Sequence, residues 1–223
     1  MAEAKGLSES DLRAICDRIL QMSVADQCRV NVDSGWRGYT RVATNRITSA
    51  GGRDNTSITI TSTFGKRVAS VNVNRYEDDA LEQAVRRSEE MARLAPENPE
   101  FIPELGPQRY AEIPAYYEST GELEPQTRAE AAAIAIQKAS SAGQIAASYM
   151  DVRAGTSAVA TSNGLFGSHS STGVAYTLTS RSPDGLQSGW AGDEANDWNN
   201  IESLRVADDA VRKCRDWNKT ALE

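Results

Sequence analysis

Residues 28–47 read CRVNVDSGWRGYTRVATNRI. Cys28, Val30 and Val32 alternate with Arg29, Asn31 and Asp33. Strand side chains point to opposite faces at period two, so this is a half-buried strand with an apolar inner side. Ser34-Gly35 reads as a turn, and Trp36 to Ile47 as a second strand. The stretch Gly51-Gly52-Arg53-Asp54-Asn55 reads as a loop. Ile58 and Ile60 alternate with Ser57, Thr59 and Thr61 in a third strand. Phe64-Gly65-Lys66 turns the chain, and Ala69, Val71 and Val73 mark a fourth strand.

Helices flank this meander. Over residues 8–22, Leu12, Ile15, Cys16, Ile19 and Leu20 share one face at helical spacing, with Ser8 and Asp11 placed as a capping box. Over residues 77–94, acids crowd the first turn and Leu81, Ala84, Val85, Ser88, Met91 and Ala92 form the inner face. Residues 95–126 then hold six of the seven prolines, which rules out a long helix or a central strand. Tyr110, Tyr116 and Tyr117 are the residues expected to pin this connector to the surface.

The order then repeats. Thr127 and Glu130 suggest a second capping box, followed by Ala131, Ile134, Ala135 and Lys138 on one face. Strands are expected at 150–154, 157–161, 174–178 and 186–191, with a turn at Ser182-Pro183-Asp184-Gly185. Asn200 is placed to cap a last helix, whose face is Leu204, Ala207, Val211 and Cys214. The expected fold is α+β: two repeated helix–four-strand antiparallel meander–helix units, with helices packed on the sheet or sheets. The expected divisions are 1–94 for the first half, 95–126 for the connector and 127–223 for the second half. Whether the half-sheets join is left open by the pattern.

The bulk numbers narrow the function classes. The 223 residues suffice for a sizeable core, and 39% hydrophobic with 25% charged is an ordinary globular composition. A formal net charge of -7 disfavours nucleic acid as a partner, because phosphate contacts need a basic face. Neither a membrane-length apolar run nor a signal peptide's apolar core is visible, so a cytoplasmic protein without a membrane partner is expected. Cys16, Cys28 and Cys214 are too scattered for a metal motif and read as reduced, buried thiols.

The search for chemistry returns little. The one histidine, His169, sits in a Ser/Gly-rich stretch with no HExxH pattern and no nucleophile elbow. Its serine neighbours lie next to it in sequence, so in a strand they point to the other face. Phosphate-binding glycine motifs are absent. Trp36, Trp190, Trp198 and Trp217 read as core or sheet-packing residues, and Asn218-Lys219-Thr220 as an acceptor pattern without consequence. Neither a catalytic nor a metal-ligating residue is assigned. The substrate-path candidates are Asn163, Gly164, Gly167 and His169 in the 163–171 loop, and Gly51 and Gly52 in the 50–55 loop. Each segment joins strands, and strand edges can take an extended peptide through backbone groups.

The wording of the chain resembles a known family. The run CRVNVDSGWRGYTRVATNRI and the following TSITITSTFGKRVASVNVNRYEDDALEQAVRRSEEMARLAPENPE are similar to the N-terminal region of the TldD/PmbA (TldE) family. In the second half, ASYMDVRAGTSAVATSNGLFGSHSSTGVAYTLTS resembles that family's N-S-x-G-x-x-G strand-loop-strand, with Thr161 at the first position in place of Asn. The resemblance implies a relative of zinc-dependent peptidases that act on flexible peptides, once called modulators of DNA gyrase. It implies subunits working in pairs, as a homo- or hetero-dimer. Zinc would belong to an HExxxH motif and a Cys ligand in a C-terminal catalytic domain beyond this chain, so neither zinc nor any other cofactor is expected here. The chain is then expected to be a non-catalytic module that contributes to dimer assembly and the peptide path. The alternative is a free-standing, non-enzymatic adaptor of the same fold.

Overall fold

In the computed structural model, which describes residues 6–216, α1 spans Glu9–Met22, β1 Gln27–Ala43, β2 Arg46–Phe64, β3 Arg67–Val73 and α2 Asp78–Leu94. The second half holds α3 Glu118–Gly121, α4 Pro125–Ser141, β4 Ile145–Thr161, β5 Phe166–Arg181, β6 Ser188–Ala195 and α5 Ser203–Arg215, with a 3-10 turn at Trp198–Asn200. All strands pair antiparallel in one sheet of order β3-β2-β1-β4-β5-β6, and the long β1 and β4 join the halves at its centre. The fold is α+β, as expected. Trp217 and the Asn218-Lys219-Thr220 pattern lie outside the described residues.

Among the described residues, each half contains three strands where four were expected. Ser34-Gly35 is an interior point of β1, and Gly51-Gly52 lies inside β2. The glycines mark close approach rather than turns. A Cβ on Gly35 would stand 2.5 Å from the Ala154 carbonyl oxygen, so β1 and β4 can meet there only without side chains. A Cβ on Gly52 would stand 2.9 Å from Trp36 Nε1, and one on Gly38 2.2 Å from the Trp36 ring. The indole therefore lies along two bare backbone positions. The true hairpin between β1 and β2 is Thr44-Asn45, both at positive φ of 51° and 57°. Two left-handed residues match the twist of a two-residue hairpin. Asn45 then ties this hairpin to β4, accepting from the Ala146 N–H at 2.6 Å and donating to the Gln144 carbonyl at 3.0 Å.

Both helix pairs cover the same face of the sheet. One core joins Leu12, Ile15, Cys16 and Ile19 of α1 and Leu81 and Val85 of α2 to Val30, Val32, Ile58 and Ile60. The other joins Ala135 and Ala139 of α4 and Val206, Ala207 and Ala210 of α5 to Met150, Val152, Tyr176 and Leu178. The capping box at Ser8 and Asp11 forms as read. Two other helix starts differ. Pro125 opens α4, where its missing N–H loses no bond, so Thr127 lies inside the helix. The last helix begins at Ser203 and Asn200 belongs to the 3-10 turn, which turns the buried stripe to Ser203, Val206, Ala207, Ala210 and Cys214 and leaves Leu204 exposed. In α2, Met91 is exposed and Glu89 takes the inner place. Among the described residues, no helix is long and apolar enough to cross a membrane.

Candidate functional site

With all helices on one side, the odd-numbered side chains of β1, β2, β4 and β5 face away from them. These residues form cross-strand rows. Ser57, Asp33, Ser157 and His169 make one row, and Asn55, Gly35, Gly155 and Ser171 the next. The third is Arg53, Arg37, Arg153 and Gly173, and the fourth begins Gly51, Tyr39, Asp151 and Ala175. Around the first three rows the face is concave. A hollow of about 370 Å³ is lined by Asn31, Asp33, Ser157, Gly167 and His169, with Tyr110 of the connector forming its outer wall. Its neighbour, about 270 Å³, shares Asp33 and Ser157 and is floored by Gly35 and Gly155, with Arg37, Arg53 and Arg153 along one side. Together they make a trough along the uncovered face.

Of the three tyrosines expected to pin the connector, Tyr110 lies on this face, while Tyr116 packs against Gly121. A Cβ on Gly167 would stand 2.9 Å from the Tyr110 ring, so the missing side chain at Gly167 seats the aromatic. Earlier along the connector, Thr161 Oγ1 donates to the Leu105 carbonyl at 2.8 Å and Asn163 Nδ2 to the Glu104 carbonyl at 2.7 Å. Further on, Thr172 N donates to the Ala115 carbonyl at 2.9 Å. The prolines leave these segments without internal pairing, and the sheet supplies the partners instead.

The sequence-based candidates separate. Gly167 and His169 line the trough. Asn163 and Gly164 form the β4–β5 turn beyond its end, and Asn163 is engaged by the connector. Most of the expected 163–171 loop is strand β5. Gly51 and Gly52 are strand residues on β2; Gly51 lies three rows from His169 and carries the Tyr39 ring, while Gly52 points to the helix side beneath Trp36. The arginine row was missed. Arg53 read as part of a loop, and Arg37 and Arg153 fell in separate expected strands without being singled out, so nothing in their sequence spacing showed that they are neighbours. Trp190 was expected to pack, but it stands 59% exposed on the uncovered face, opposite Thr179.

The chemistry of the trough is polar rather than nucleophilic. Ser157 Oγ donates to Asp33 Oδ1 at 2.6 Å, while exposed His169, directly across from Ser157, bonds to neither. An activated serine needs histidine between hydroxyl and carboxylate, and here the order is Asp, Ser, His. Among the described residues, no three His, Cys, Asp or Glu side chains are grouped to hold a metal ion. The cysteines are free and buried; burial pushes the Cys16 thiol up to about 12 and that of Cys28 up to about 11.

A sequence model described as the PmbA/TldA metallopeptidase central domain matches residues 108–215. The chain carries a domain of the TldD/PmbA family. The matched region starts within the connector and takes in α3, α4, β4, β5, β6 and the whole of α5, so this half corresponds to a central domain. Among solved structures, TldE from Thermococcus kodakarensis aligns with a TM-score of 0.80 at 18% identity, over 92% of this chain and 47% of that one. A candidate modulator of a DNA gyrase from Thermotoga maritima aligns with a TM-score of 0.80 at 12% identity, over 92% and 48%. Another from Bacteroides thetaiotaomicron gives 0.75 at 13% identity, over 93% and 50%. At such identities the likeness is one of fold. The chain spans about half the length of each of these structures. No curated protein sequence matches it.

Proposed function

We propose that this chain is a non-catalytic module of a TldD/PmbA-type peptidase or of its partner subunit, and that its uncovered sheet face walls the path of a peptide substrate. The observation that carries this is the trough itself: a long concave strip of sheet left free of helices, in a chain matching a metallopeptidase central domain. An extended peptide is the ligand that such a strip accommodates, since aligned strands present regularly spaced polar side chains and bare glycines along its length. In this reading the module's part is to hold and align. Pairing with another TldD/PmbA-type subunit would supply the rest of the path. The buried, unpaired thiols are in keeping with a cytoplasmic setting.

The test is site-specific photocrosslinking. A crosslinker replacing Ser171 in the trough should capture an unstructured peptide, and one replacing Arg87 on the exposed side of α2 should not. Equal capture at both positions, or none at Ser171, would sink the reading. Native mass spectrometry with a candidate partner subunit tests the pairing; a chain that stays monomeric in all mixtures speaks against it.

A further inference from the structure

The arginine row breaks a rule of sheet construction. Arg53, Arg37 and Arg153 are direct cross-strand partners on three adjacent strands, and like charges placed opposite one another destabilise a sheet. Strands lie roughly 4.8 Å apart, so three guanidiniums share one narrow band. Among the described residues, only two carboxylates answer them. Asp151 accepts from Arg37 Nε at 2.6 Å, and Glu194 lies 3.5 Å from Arg153 Nη2. The Arg153 guanidinium reaches that position by lying over Gly173, where a Cβ would stand 2.7 Å from its Nε. Among the described residues, the Arg53 side chain has no hydrogen bond or ion pair partner, and it is exposed at the rim of the 270 Å³ hollow. In a chain of net charge -7, this is a local excess of positive charge beside a cavity with a bare glycine floor.

We propose that the Arg53–Arg37–Arg153 row is a carboxylate subsite that receives an acidic side chain of an extended peptide lying in the trough. This rests on the reading of the trough as a peptide path. Guanidinium forks match carboxylates in shape and charge, and Arg53 has all its donors free. The anion belongs to a residue within the peptide rather than to its end, because the uncovered face continues past the row in both directions. On one side lie His169 and Tyr110; on the other, the stacked Tyr39 and Tyr149 rings at 6.2 Å and then exposed Trp190. A polyphosphate chain fits less well, since Asp33, Asp151 and Glu194 line the same face and would repel its further charges.

The experiment uses the 223-residue chain and two fluorescent, C-terminally amidated peptides that differ only in one central Glu or Gln. By fluorescence anisotropy, the Glu peptide should bind about three- to tenfold more tightly, the range between an exposed ion pair and a charge-assisted hydrogen bond. Arg53→Gln should erase this preference without altering the binding of the Gln peptide or lowering the melting temperature, because the Arg53 side chain holds no structural contact. If both peptides bind alike and Arg53→Gln changes neither, the subsite is overturned while the peptide path stands. If neither binds, both readings fall. If the free-acid form of the Gln peptide matches the Glu peptide, the mid-chain assignment is wrong. If a DNA duplex outcompetes the Glu peptide and loses that advantage in Arg53→Gln, the peptide assignment is wrong.

Discussion

Replacing Gly189 with Ala tests how the second helix pair is seated. Gly189 lies in β6 directly beneath α5. A Cβ built there would stand 2.2 Å from the Ala210 carbonyl oxygen, 2.3 Å from Cys214 N and 2.7 Å from Lys213 Cβ. Ordinary contact needs about 3.4 Å or more, so the helix must retreat by about 1 Å, and two of the three atoms are backbone that cannot rotate aside. The retreat loosens Val206, Ala207, Ala210 and Cys214, each at most 1% exposed, from the sheet. Overpacking of this kind costs about 1–3 kcal/mol, and the rigid neighbours put Gly189→Ala near 3. At roughly 2–4 °C per kcal/mol for a domain of this size, the melting temperature should fall by about 6–12 °C. The second readout is chemical. Cys214 should react with a thiol reagent several-fold faster, while Cys16 and Cys28, in the other core, keep their native rates. A melting temperature within about 1 °C of the parent, or equal acceleration of all three thiols, would refute the reasoning.

Three further outcomes follow from the same structure. Glu89 is 1% exposed and accepts from Val24 N at 2.7 Å and Ser23 Oγ at 3.2 Å, so Glu89→Ala strands the turn after α1 and should cost about 1–3 kcal/mol in urea unfolding, with Glu89→Gln milder. The Cys16 thiol is raised from 9.0 to about 12 by burial, so the folded state resists its ionisation; stability should be whole below pH 9 and decline as pH rises toward 12. A Cys16→Ala/Cys28→Ala protein should show a shallower alkaline decline, and an unchanged slope would count against the burial argument. Tyr110→Ala removes the ring seated on Gly167, and trypsin should then cut at Arg109 several-fold faster than in the parent.

How much of this was legible depends on the range of the interaction involved. Period-two runs such as Cys28-Val30-Val32 and Val174-Tyr176-Leu178 announced half-buried strands, because burial on one face is dictated within the segment itself. The Ser8 cap was legible for the same reason. Strand count was not. Gly35 and Gly52 look like turn residues along the chain, yet their lack of side chains answers Ala154 and Trp36, which lie across strands. The Thr44-Asn45 hairpin was hidden because threonine seldom takes positive φ; its cost is met by Asn45 bonding to β4, about a hundred residues away in sequence. The site was least legible of all. Register alone brings Arg53, Arg37 and Arg153 together, and register is set by pairings that no local pattern encodes.

The division between the two faces also bears on where chemistry can reside. A one-layer helix cover takes up the inward-facing apolar residues of the strands, and the cysteines go with them: Cys16 and Cys28 share one core and Cys214 seals the other against β6. The soft ligands of the chain are thus committed to packing, with their thiols held neutral. What remains on the uncovered face, beside the Tyr39, Tyr149 and Trp190 rings, is His169, hydroxyls, carboxylates and guanidiniums. Its carboxylates are already engaged, Asp33 by Ser157, Asp151 by Arg37 and Glu194 by Arg153. Moving any of them to a metal would release a hydroxyl or add to an uncompensated row of three positive charges. Under the proposed reading of the trough, the free arginine at the rim is the group left available for the peptide itself.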